Sequence, residues 1–273
     1  MKTLTITGGL DIAYEDNYFG PAWVEPSVCL LVHGIAESSR AWTQWIPVLA
    51  AELRVIRIDL PGFGESSMPG ASFDWSPRAY SELIADFTRC IGMESFHLIS
   101  AKYGGKISMQ FAAMYPDLVR SLQVFSSPAR APGTDTHHAV KMQGLREWSA
   151  ATMRRRLGST ASEDQVNWWT EMHARSNVSS VIGCTSTSNS VDISDELPKI
   201  AAPTLVVTTT RSGLQDVAEV KRYQSLIPHS RLVVLEGDCY HPAAVEPVRC
   251  ASMALDFVNE VEKGTPAAAR GAS

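Results

Sequence analysis

At 273 residues, with a net charge of −5 and a pI near 5.8, the chain has no electrostatic footprint for nucleic acid or an anionic membrane surface. A composition of 45% hydrophobic and 19% charged residues is ordinary for a soluble globular protein, and the length fits one large α/β domain with room for an insertion. No apolar run approaches the ~18 residues of a membrane span. The five cysteines are odd in number, scattered and without metal-type spacing, which suits a reducing cytoplasm.

Met1 to Thr7 alternates as a strand does and lacks the apolar core of a signal peptide. Val28-Cys29-Leu30-Leu31-Val32 is continuously apolar, as expected of a strand buried on both faces of a parallel sheet. His33-Gly34 ends it. Residues 42–53 carry apolar side chains at helical spacing, and Val55 to Ile58 reads as a second buried strand. Asp59-Leu60-Pro61-Gly62-Phe63-Gly64-Glu65-Ser66 then makes a glycine-rich turn. An amphipathic helix over 77–91 leads to an apolar strand from Phe96, a small-residue turn at Ser100-Ala101-Lys102-Tyr103-Gly104-Gly105, and a further helix to about 115. Leu122 to Phe125 is the next strand.

Alternation of strand and helix breaks over 129–197, where helical patches at 142–157 and 163–174 predict a mostly helical lid. The Arg154-Arg155-Arg156 run reads as a solvated helix face. His137-His138 beside Asp135 has no second cluster to make a metal site, so no metal is expected. Alternation resumes with Thr204 to Val207, a helix through 226, a strand over 231–235 and a closing helix after Glu246. Repeated strand–helix units predict a doubly wound, mostly parallel sheet. The core is expected at 1–128 and 198–263, the lid at 129–197, and a frayed tail at 264–273.

The order of His33-Gly34, Asp59-x-Pro61-Gly62-x-Gly64-x-Ser66, the turn around Lys102, Pro203 to Val207, and His241 ahead of Glu246-Pro247 resembles the α/β-hydrolase superfamily along nearly the whole chain. The turn has the frame of that family's nucleophile elbow, small-x-nucleophile-x-small, with Lys102 at the apex where a serine is usual. The resemblance makes His241 the catalytic histidine. It makes the Ile35 and Tyr103 amides the oxyanion hole. Its usual acid position falls on Ser212, and the alternative position on Ser126-Ser127. Asp216 and Asp238 are therefore the candidate acids. His33, Trp148, Trp168 and Trp169 are the candidate substrate-pocket residues, and Asp59 reads as structural.

Lysine cannot perform serine acyl transfer. Desolvation, the helix N-terminus and nearby Lys106 all disfavour the ammonium, with no carboxylate expected beside it. A neutral lysine attacks a ketone or aldehyde and forms a Schiff base, an electron sink for decarboxylation, retro-aldol cleavage or dehydration. A protonated Lys102 would instead polarise a carbonyl while His241 activates water. The leading expectation is a cofactor-independent enzyme hydrolysing an ester, lactone, amide or C–C bond of a small, largely apolar carbonyl substrate. A Lys102 Schiff-base lyase and a non-catalytic ligand-binding pseudoenzyme are the alternatives. No glycine-rich phosphate or dinucleotide fingerprint is present, so no cofactor is expected. Neither a nucleic-acid nor a membrane partner is expected, and a homodimer is left open.

Overall fold

The computed structural model describes residues 1–130, 133 and 136–264. Asp135 and the expected frayed tail beyond Gly264 lie outside the described residues. The chain runs β1 (Lys2–Thr5), β2 (Asp11–Asn17), β3 (Val28–Val32), α1 (Ile46–Leu49), β4 (Arg54–Ile58), α2 (Pro77–Cys90), β5 (Phe96–Ala101), α3 (Tyr103–Met114) and β6 (Val119–Phe125). Four helices follow before the sheet resumes: α4 (Thr136–Gln143), α5 (Leu145–Leu157), α6 (Glu163–Ala174) and α7 (Val178–Ser190). Then come β7 (Thr204–Thr209), α8 (Val217–Gln224), β8 (Ser230–Leu235), α9 (Pro242–Val245) and α10 (Pro247–Gly264).

The eight strands form one sheet in the order β1-β2-β4-β3-β5-β6-β7-β8, antiparallel at β1–β2–β4 and parallel from β4 onward. Both faces are covered, and the two-residue period of a strand divides the core accordingly. Leu30, Val32, Ile56, Ile58 and Leu98 pack on one side; Cys29, Leu31, Val55 and Ile99 pack on the other. The expected doubly wound, mostly parallel sheet is the observed one.

Two local expectations give way to specific residues, and two elements were not foreseen. The helix read over 42–53 is a 3₁₀ turn at Ser39–Trp42 followed by the four-residue α1. Pro47 sits in its first turn, where its missing N–H is tolerated, but a helix running through it would lose a bond and clash with the carbonyl four residues back. The patch at 142–157 is cut at Gly144, whose φ of 85° ends α4 and starts α5. Helix α7 went unread because Val178–Ser190 is rich in Ser and Thr, which favour caps and turns over helix interiors. Its hold comes from the Asn177 cap and from burial of Val181 and Cys184. Strand β2 was also unread; its charged residues hid the pattern, and Glu15 and Asp16 are matched by Arg57 and Arg54 on β4.

Candidate functional site

β5 lies at the centre of the sheet and is buried along its whole length, ending one residue before Lys102. The backbone there has φ 55° and ψ −122°, a left-handed conformation that a non-glycine residue adopts only under constraint. The constraint is visible. The Lys102 amide donates to the Phe125 carbonyl at 3.0 Å, and α3 is pressed against the end of β3. A Cβ at Gly104 would lie 2.3 Å from the His33 carbonyl oxygen, and one at Gly105 would meet the Ser127 hydroxyl. These two glycines permit the close approach that aims Lys102 upward. Ser100 points away from it, buried, donating to the Gln123 carbonyl.

Lys102, 8% exposed, forms the floor of a cavity of about 850 Å³ including its mouth. Ile35 and Tyr103 lie beside it, and Trp148, Thr152 and Tyr240 are among the residues forming the walls. Ile35 and Tyr103, whose amides the sequence suggested for an oxyanion hole, both line this cavity. Of the four pocket candidates, Trp148 lines this cavity. His33 is fully buried, one ring nitrogen facing the Gly34 carbonyl and the other accepting from the Leu60 amide. Trp168 is exposed on an outer groove beside Arg40, and Trp169 packs edge-on against His241 with ring centroids 4.8 Å apart.

The carboxylate that meets the lysine is Glu37, 1% exposed on the loop after β3. One oxygen, Oε2, accepts from the Gly34 amide at 2.9 Å. The other, Oε1, pairs with the Lys102 ammonium, lies 3.2 Å from His241 Nε2, and lies 4.0 Å from His173 Nε2. Burial would push the Glu37 carboxyl up, but Lys102, then His241 and His173, hold it well below the usual carboxylate range. The expectation of a lysine without a neighbouring carboxylate is thus corrected. An ion pair sits at the apex.

The candidate acids are elsewhere. Asp216 caps α8, accepting from the Glu219 amide at 2.7 Å, and Asp238 accepts from the Ser159 amide at 3.1 Å. Among the described residues, His241 Nδ1 is buried with no hydrogen-bond partner, so none of them orients it as an acid would. Its Nε2 faces Glu37 without the alignment of a full hydrogen bond. Burial, followed by the Lys102 ammonium, lowers the His241 value despite Glu37. His173, on α6, stacks on Trp148 and is lowered further, by burial and then by Arg156 and Lys102. Burial and the neighbouring cations thus favour the neutral form of both imidazoles. Lys106, expected to press on Lys102, donates instead to the Ser188 and Val191 carbonyls at the end of α7, with burial lowering it to about 8.

Arg156 corrects another expectation. Successive helix residues are turned by about 100°, so three arginines in a row cannot share one face. Arg154 bonds the Ala161 carbonyl and Glu163, Arg155 is exposed at the cavity mouth, and Arg156 is turned inward at 7% exposure. Glu37, His173 and Arg156 were not foreseen. The signal for the first was available: between Val28 and Ala51, Glu37 is the one acidic residue, and a buried lysine needs a counter-charge.

Residues 28–184, more than half the chain, match the family model described as alpha/beta hydrolase fold. The chain belongs to that family. Among alpha/beta hydrolases, it is 25% identical over 247 residues to the pimeloyl-[acyl-carrier protein] methyl ester esterase of Aeromonas hydrophila, covering 84% of this chain and 94% of the relative. It is similar in structure to the enol-lactonase of Burkholderia xenovorans, with a TM-score of 0.85 at 15% identity, over 94% of this chain and all of the other. A thermophilic esterase from Thermogutta terrifontis superposes with a TM-score of 0.83 at 23% identity, over 95% and 98% of the two chains. Among the described residues, no helix is long and apolar enough to cross a membrane.

Proposed function

We propose that this alpha/beta hydrolase is an enzyme that hydrolyses an ester, lactone, amide or activated C–C bond beside a carbonyl, without a covalent acyl intermediate. In this reading the Lys102 ammonium and the Ile35 and Tyr103 amides surround the carbonyl oxygen and stabilise the negative charge that develops on it. Neutral His241 is the base. It lies 3.2 Å behind Glu37 Oε1 and takes up the proton released when water attacks. Glu37 holds the ammonium in place. Relatives named as esterases and a structural neighbour named as a lactonase support hydrolysis as the reaction class.

The observation that carries this reading is the Glu37–Lys102 ion pair. A Schiff base requires a neutral amine, and a carboxylate held well below its usual range is a poor acceptor for the ammonium proton. The pair favours an electrophilic lysine over a nucleophilic one. The test combines a panel of aryl esters, lactones and vinylogous diketones with borohydride trapping. Turnover by the wild type, loss in Lys102→Ala, a measurable fraction kept in Lys102→Arg and no added mass at Lys102 are expected. A trapped adduct together with an inactive Lys102→Arg would transfer the protein to lyase chemistry. Full turnover in Lys102→Ala would remove the elbow from catalysis.

A further inference from the structure

We propose that Arg156 is a recognition residue for a carboxylate carried by the substrate close to its reacting carbonyl, so that the substrate is an acid and not a purely apolar molecule. This rests on the hydrolase reading above only for the word substrate; the site itself is argued from its own charges.

The cavity over Lys102 is lined by four cationic residues, Lys102, Lys106, Arg155 and Arg156, and by no aspartate or glutamate among its described residues. Two of these charges are already answered. Lys102 is paired with Glu37, and Lys106 spends its ammonium on the carbonyl end of α7, where a cation is favoured. Arg155 is exposed at the mouth, where water screens it. Arg156 is different. It is buried, its guanidinium bonds the Thr152 hydroxyl and lies over the Trp148 ring with 4.5 Å to the centroid, and it makes no ion pair among the described residues. Burial of a guanidinium without an acid is costly unless something else supplies the negative charge.

Thr152 and Trp148 fix the plane of the fork without using up its donors, since five N–H groups face one hydroxyl and one ring. Two parallel N–H groups match a carboxylate. Trp148, Pro128 and Leu214 then leave apolar wall for the rest of the acid. Arg156 helps to lower His173 and His241 and is itself acted on by Glu37, which places its charge near the elbow and not at a remote corner. The substrate's carboxylate is therefore expected near the bond that reacts.

The test uses binding alone, so that it separates from turnover. Isothermal titration of the full chain with 3-phenylpropionate and with its neutral isostere 3-phenylpropionamide compares acid and amide of the same shape. The wild type should prefer the acid by about tenfold or more, as for a desolvated charge pair. Arg156→Gln should erase that preference while leaving amide affinity unchanged, and Arg156→Lys, which keeps charge but not the fork, should keep part of it. Lys gives the reading if Gln fails to fold. Equal affinity for acid and amide in the wild type, or an unchanged preference in both variants, overturns the proposal. Tight binding of inorganic phosphate with no acid preference would likewise overturn the carboxylate assignment. Acid preference without any ester turnover would leave Arg156 standing and remove the hydrolytic reading instead.

Discussion

Glu37 and Lys102 form an ion pair with the carboxylate 1% and the lysine 8% exposed, one residue from the loop after β3 and the other from the strained turn after β5. The two strands are neighbours in the sheet, so the pair is a product of their parallel register. It occupies the space in which a serine elbow would present a hydroxyl to the histidine. One carboxylate oxygen touches both the cation at the apex and the imidazole behind it.

Glu37→Gln should be strongly destabilising, because it leaves a buried ammonium without its counter-charge; about 3 to 5 kcal/mol is expected. Lys102→Met in the same chain should recover most of that loss. Chemical denaturation of the two single variants and the double variant reads the coupling directly. Additive single effects would mean that the two charges are not energetically paired.

His241→Ala should lower turnover of a hydrolysed panel substrate by about 100-fold or more, as for a general base. Because the base is the neutral imidazole and its value is lowered by burial and by Lys102, activity should persist below pH 6.5 and fall only at more acidic pH. A rate profile measured across that range checks both points. An acid limb at or above the ordinary histidine value would show that a different group titrates.

Asp216→Ala should cost about 1 kcal/mol of stability through loss of the α8 cap and leave turnover unchanged. Asp216→Ser, which retains a capping oxygen, should restore most of the stability. Thermal melts and initial rates on the same preparations decide it. A large rate loss in Asp216→Ala would return that carboxylate to the catalytic machinery.

Acid should destabilise the fold before it reaches the carboxylate range. His173 and His241 are both held below the ordinary value of 6.5, so at pH values between their folded values and 6.5 the unfolded chain binds more protons. Their contribution is complete above about pH 6.5 and is lost as pH falls toward the folded values. Glu37, also lowered, adds its own loss below its ordinary value of 4.5. Melting temperatures stepped from about pH 8 to about pH 5 should decline from near 6.5 downward. A flat or rising series would contradict the buried neutral histidines.

The fold was readable from the chain because its signals are local. The apolar run of β3, the frame around Lys102 and the resumption at Thr204 each need only neighbouring residues, and periodicity reports burial wherever both faces of a strand are covered. Lys102 and His241 were also readable, since a tight turn and a fixed spacing to Glu246-Pro247 mark them. What the chain alone did not reveal was every partner across the fold. Glu37 became the lysine's counter-ion because β3 lies beside β5. Arg156 reached the cavity and His173 came within 4.0 Å of Glu37 because α5 and α6 fold back over the sheet, and Asp216 lies away from the site, capping its own helix. Charges interact through space at a few ångströms and across any number of residues, so their pairing was decided by the tertiary structure.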